Sequence, residues 1–202
     1  MNTVDPNSSP VEQLWYTWSN VGLSTLHAGF RIRAASPGLT EIYSDRVKNI
    51  EQHMRYLLPP GTDRSITPDM APVGLAFIHS GWNDEYLLIH KKYTGKDGVG
   101  RQGNFFAHAL ALGSYRDFST EDAIWQWEDA MWKTDSSSLD DRSTSLPRLS
   151  IDEVYHTRTP FKPEHFRQVQ EELQFVIEAY LTRRDQSVPI YIAAPAHHAA
   201  KI

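Results

Sequence analysis

From the end of one strand-like stretch, Tyr86 to Tyr93, into another, Phe105 to Leu110, the chain carries GKDGVGRQGNFFAH, Gly95 to His108, with four glycines in fourteen positions. So much backbone freedom in one place leaves two outcomes. Either the flanking stretches fold back on one another, or the loop amides wrap a ligand. Gly98-Val99-Gly100-Arg101-Gln102-Gly103 matches the dinucleotide-binding pattern GxGxxG by letter. In that motif, however, a buried strand runs straight into the first glycine and a crossover helix follows. Here Lys91 to Asp97 intervene, and Asn104 to Leu112 is too short before Gly113 to be that helix. Gly95 and Gly100 also stand at phosphate-loop spacing, but Arg101 and Gln102 replace the lysine and the magnesium-binding hydroxyl. The reading that remains is a long hairpin. Its glycines take up positive φ, Asp97 caps the turn, and Arg101 pairs with Asp97 or with a nearby carbonyl.

The same residues define an alternative site, hydrolytic or nucleotide-sensing. In it His108 or His90 serves as base, Asp97 as its orienter and Arg101 as an anion clamp. A nucleophile is missing from that set. Nine histidines raise the question of a metal, and His197-His198 is the densest pair. Adjacent residues on a helix point about 100° apart and do not share an ion readily. His27, His53 and His79 fall in separate elements, so neither a metal site nor a cofactor is expected. With no cysteine in the chain, disulfides, thiolate metal sites and a cysteine nucleophile are excluded.

Along the rest of the chain, Gln13 to Ser19 reads as a strand, and Phe30 to Ala34 alternates apolar and charged residues like a strand with one wet face. From Leu39 to Leu58 apolar residues recur at steps of three and four, which predicts a helix with Thr40 as its N-cap. Val73 to His79 and Glu85 to Tyr93 read as a hairpin joined across Ser80 to Asp84. Ser119 to Asp122 supplies the N-cap of a short helix with Ile124, Trp127 and Met131 along one face and Trp125, Trp127 and Trp132 crowded into it; Trp125 and Trp132 partly leave its apolar stripe and are candidates for a partner surface, against the plainer role of core filling. A polar, mobile loop is expected over 133–149. A long amphipathic helix is expected from Pro163 to Arg184, and a buried strand from Val188 to Ala194. These elements predict an α+β fold with a mixed or mainly antiparallel sheet and flanking helices. Its organisation is a disordered leader (1–12), a main domain (13–185) and the opening of a truncated α/β unit (186–202).

The formal charge of −5 and pI near 6.0 give no overall attraction to nucleic acid or anionic lipid. No signal peptide and no stretch of the length a membrane span needs is visible, so neither nucleic acid nor membrane is expected as a partner, and a cytoplasmic location is.

QLWYTWSNVGL, GFRIRAASPGL, YTGKDGVGRQGNFFAHAL, VQEELQFVIEAYL and VPIYIAAP stand in this order over Gln13 to about Ala194. Together they resemble the second type of N-terminal domain in the large GTPase-associated proteins of bacterial conflict, or antiviral-type defence, systems. The resemblance implies a multidomain protein encoded beside a GTPase, in which this domain is a non-enzymatic adaptor or assembly module. Its partners would be that GTPase, further domains of its own chain, or both. No catalytic residues carry over with the resemblance. The candidate contact residues are Lys96, Asp97, Arg101 and Asn104 at the hairpin tip, with Trp125 and Trp132.

Overall fold

The structure is a computed structural model that describes residues 10–24, 28–58, 62–63, 65–113, 118, 122–123, 126, 131–135 and 143–155. Its frame is a sheet of five strands: β1 (Glu12–Ser19), β2 (Gly29–Ala35), β3 (Gly74–His79), β4 (Tyr86–Lys96) and β5 (Gln102–Leu112). They lie in the order β2-β1-β5-β4-β3, and every neighbouring pair is antiparallel. The mixed alternative therefore gives way to the antiparallel one; the only parallel pairing among the described residues is an isolated bridge between Ala35 and Ser145. Among the described residues helix is sparse: a 3-10 turn (Pro37–Leu39), α1 (Asp45–Gln52) and the five-residue α2 (Ile151–Tyr155). The predicted helix over Pro163 to Arg184 and the strand after it lie outside the described residues, as does most of the predicted helix near Ile124.

Both hairpins form where turn chemistry announces them. Across Ser80 to Asp84 the chain reverses through Gly81, Asn83 and Asp84, all at positive φ (80°, 41° and 55°). Asn and Asp are the non-glycine residues that best tolerate that region. The reversal closes with Ser80 N donating to Glu85 O at 2.8 Å.

The helix predicted over Leu39 to Leu58 is shorter than its periodicity. The chain instead makes the 3-10 turn, breaks, and starts α1 behind Ser44, whose Oγ accepts from the Val47 amide at 3.3 Å. Thr40 is not the N-cap; its hydroxyl donates back to Pro37 O at 3.1 Å. The apolar spacing was still informative, because Leu39, Val47, Ile50 and Met54 are all fully buried against the sheet. Periodicity reports which residues face the core, and a turn, a short helix and an extended stretch in series satisfy it as well as one long helix does. Tyr43 and Leu57, counted in the same stripe, are exposed.

Both faces of the sheet are covered. On the first, Leu14, Ile32, Leu87, Ile89 and Phe105 meet Leu39 and α1, and Ala107, Ala109 and Ala111 of β5 present only methyl groups there. On the second, Leu88, Leu110 and Leu112 pack under Phe118, Ala123, Trp132 and Val154. Val11 and Leu149 tie the covering segment down by exchanging two backbone hydrogen bonds (2.8 and 2.9 Å), so pairing begins one residue ahead of β1. This double burial accounts for the apolar runs Tyr86 to Ile89 in β4 and Phe105 to Leu112 in β5, the second broken only by His108.

It also corrects the reading of β2. Its arginines do not line a wet face: Arg31 and Arg33 are buried, the first donating from Nη1 to Ser24 O (3.1 Å) and the second to Ser143 O, while Phe30 is exposed. Period two shows that faces alternate, but not which face a later segment will cover.

One ion pair fastens α1 to the far hairpin. Arg46 Nε lies 3.0 Å from Glu85 Oε1, Nη2 of the same guanidinium reaches that oxygen too, and Nη1 donates to Gly38 O at 3.2 Å. Because the Glu85 carboxylate is nearly shut off from water, Arg46→Ala should lower stability by about 3 kcal/mol in urea unfolding. Adding Glu85→Leu should restore part of that loss. An unchanged urea midpoint in the single variant would show the pair to be solvent-screened.

Candidate functional site

β4 and β5 are the longest strands, eleven residues each. They carry the glycine stretch to the end of the sheet. Their pairing slips between Tyr93 and Gly95 and again before Lys96, with Gly95, Gly100 and Gly103 at φ of 90°, 85° and 107°. Those three glycines supply turn conformations that side chains with a Cβ rarely adopt. Gly98 serves differently. A Cβ there would lie 2.2 Å from Cζ3 of Trp18, so its bare backbone lets the β1 indole lie against the loop.

The loop closes on Asp97. Its Oδ1 accepts from the amides of Val99 and Arg101 (both 2.9 Å), its Oδ2 accepts from Arg101 Nε (2.7 Å), and its backbone exchanges bonds with Arg101 and Gly100. Desolvation opposes ionisation of Asp97, but the Arg101 and Val99 donors outweigh it and hold the carboxyl below the usual range. The amides that would cradle a phosphate are thus engaged by the loop's own carboxylate. Arg101 is left pointing outward with 68% of its side chain exposed. Asp97→Ala should lower the thermal midpoint and raise amide hydrogen exchange across 97–102, because the turn loses its central acceptor.

Lys96 and Val99 share this tip and are exposed. Asn104 lies a step back, its Nδ2 3.5 Å from Lys96 O. Beside the tip is a shallow depression of about 520 Å³, lined by Trp18, Ser19, Asn20, Val21, Arg33, Gly98 and Asn104. Trp18 and Arg33 carry no local sequence signal of this; strands β1 and β2 bring them there.

His90 and His108 sit elsewhere. They face each other across the β4–β5 pairing, on the covered second face. Strand rise places them roughly 20 Å from the tip. His108 Nδ1 accepts from the Lys133 amide (3.2 Å), which leaves Nε2 as the protonated nitrogen, donating to Gln13 Oε1 at 2.9 Å. Burial lowers the pKa of His90 to about 4, with help from Lys92, and that of His108 to about 3, with help from His90 and Lys133. Asp97, Arg101, His90 and His108 therefore do not converge: two brace a turn and two are neutral groups inside the protein.

Trp132, expected as a candidate partner surface, is a core residue. Only 7% exposed, it stacks on His90 (5.1 Å between centroids, 14° between planes) and meets His108 edge-on (5.3 Å, 87°). Its indole leaves the apolar stripe because the surface it covers carries two imidazoles. Trp125 and the His197-His198 pair lie outside the described residues. Among the described residues no three His, Asp or Glu side chains are grouped as metal ligands would be, and no helix is long and apolar enough to cross a membrane.

Residues 10–151, the span from just before β1 to the start of α2, match the family model described as GTPase-associated protein 1, N-terminal domain type 2. The chain belongs to that family. The match takes in all five strands and the whole glycine hairpin of this GTPase-associated N-terminal domain, while VQEELQFVIEAYL and VPIYIAAP fall beyond it. Comparison with curated proteins gave no match, and comparison with solved structures gave none.

Proposed function

We propose that this GTPase-associated N-terminal domain is a non-enzymatic adaptor, an assembly module of a larger protein in a bacterial conflict system of antiviral type, working in the cytoplasm. Its partners are a GTPase encoded nearby, further domains of its own chain, or both. Its architecture is α+β, with helices flanking the antiparallel sheet. The observation that carries the adaptor reading is the hairpin tip, a turn braced by its own Asp97 so that Arg101, Lys96 and Val99 are held outward without any ligand. A preformed projection loses little conformational freedom when it docks, as a contact element requires. The family membership supplies the GTPase context.

The test is co-expression with the neighbouring GTPase, followed by gel filtration and titration of the purified pair. A complex is expected, and Arg101→Ala combined with Lys96→Ala should weaken it about tenfold while lowering the thermal midpoint only slightly, because the Arg101–Asp97 pair, exposed on its Arg101 side, contributes little. Failure to bind both the GTPase and the remainder of its own chain would end the adaptor reading. So would an Arg101→Ala variant that binds normally but has lost turnover of a small molecule.

A further inference from the structure

The tip is more selective than a generic contact surface. Of the charged groups between Tyr93 and Asn104, Lys96, Asp97 and Arg101, only Asp97 is an anion. Asp97 faces inward, its two oxygens holding two amides and one guanidinium nitrogen. What remains outside is cationic. Lys96 Nζ has no ion-pair partner among the described residues, and Arg101 uses Nε for Asp97, so the Nη1 and Nη2 side of its planar fork is open. Between these two cations in the sequence is Val99, 63% exposed on the same tip.

We infer that this tip recognises an acidic segment of a partner protein, with one carboxylate received by the outer nitrogens of Arg101, a second charge by Lys96, and an apolar side chain against Val99. This deepens the adaptor reading and rests on it. Tethering Arg101 through Nε fixes the plane of the guanidinium before the partner arrives, which suits two parallel N–H to O bonds to one carboxylate. The depression lined by Trp18 and Asn104 adjoins the tip and gives the rest of such a segment a surface to lie on.

A nucleic acid presents negative charge too, but its affinity grows with the number of phosphates neutralised, typically about 6–10 in a binding site. The two outward cations of this tip, one of them already paired with Asp97, fall well short on a chain of net charge −5. A local acidic segment senses mainly the tip, because charges more than about 8 Å away are screened at physiological salt.

The experiment uses the whole chain and fluorescence anisotropy with three labelled probes: a dodecapeptide of alternating glutamate and valine, its lysine–valine counterpart, and a short DNA duplex. The acidic peptide should bind at about 50 mM salt and weaken severalfold by about 300 mM, whereas the basic one should not bind. Arg101→Lys keeps the charge and loses the fork, and should weaken binding about tenfold. Lys96→Glu, at an exposed site with no side-chain partner among the described residues, should weaken it by about as much or more without affecting folding. An acidic peptide that does not bind, one that both variants bind as tightly as the parent chain does, or a duplex bound more tightly than the peptide would each overturn the inference. Charge-independent binding of the GTPase would overturn it as well, while leaving the adaptor reading intact. Capture of the acidic peptide without binding of either the GTPase or the remainder of its own chain would uphold this site and defeat the adaptor reading.

Discussion

Between pH 7 and pH 5 the domain should lose about 4 kcal/mol of stability, roughly 2 kcal/mol for each of His90 and His108. The sign follows from their lowered values, about 4 and about 3 against an ordinary 6.5. Below pH 6.5 the unfolded chain takes up protons that the folded chain refuses, so the stabilisation is complete above that value and drains away as the pH falls toward the folded-state values. The cause is burial first. Both rings lie under Trp132, and the nearby charges, Lys92 and Lys133, are of the sign that repels a second cation. The carboxylate of Glu12 acts in a lower window. Desolvation works against its ionised form, but donors from Ser36, Gly38 and Arg148 outweigh it and depress the pKa, so its contribution persists above its ordinary 4.5 and fades as the pH drops below that. Urea midpoints at intervals of pH therefore separate the two. His90→Phe should flatten the upper window by about half and leave stability near pH 7 unchanged or higher, because His90 Nδ1 has no hydrogen-bond partner among the described residues. A midpoint that stays constant from pH 7 to pH 5 would mean that both imidazoles reach water.

Trp132→Ala should destabilise the domain by about 3–5 kcal/mol, the range for removing a large buried aromatic. The indole fills the space over both imidazoles, and its Nε1 donates to Gln126 O, so truncation opens a cavity and leaves that carbonyl without its donor. The pH effect should shrink with it, since water entering the cavity would return the histidines toward 6.5. Trp132→Phe keeps most of the stacking and should lose only about 1–2 kcal/mol. If thermal unfolding found Trp132→Ala as stable as the parent chain, Trp132 would be a surface residue after all and its candidacy as a partner contact would return.

The parts of the fold legible in the chain are those decided within a few residues. Both hairpins announced themselves because alternation and turn residues occupy one short window, and the pairing of Asp97 with Arg101 lies inside a single turn. The helix over Leu39 to Leu58 was overextended because buried residues recur at helical steps there while Pro37-Gly38 and Ser44 divide the backbone; the competing capping and breaking signals were the more local and prevailed. The arginines of β2 read as a wet face because what takes them up is not in the strand: Arg31 bonds the β1–β2 connection at Ser24, and Arg33 a segment near Ser143 that comes more than a hundred residues later.

The candidate site divides in the same way. That the glycine stretch turns the chain, and that its carboxylate serves its own backbone, follows from residue types and spacing. That Trp18 needs a glycine opposite it, that His90 meets His108, and that Trp132 seals them depends on register between strands and on a covering segment distant in sequence. Acting alone, the order of residues determined the local elements, because torsional preference and side-chain alternation operate over a few bonds. Only the tertiary structure decided which faces became interior and which polar groups lost their water, because burial is a collective property of segments far apart along the chain.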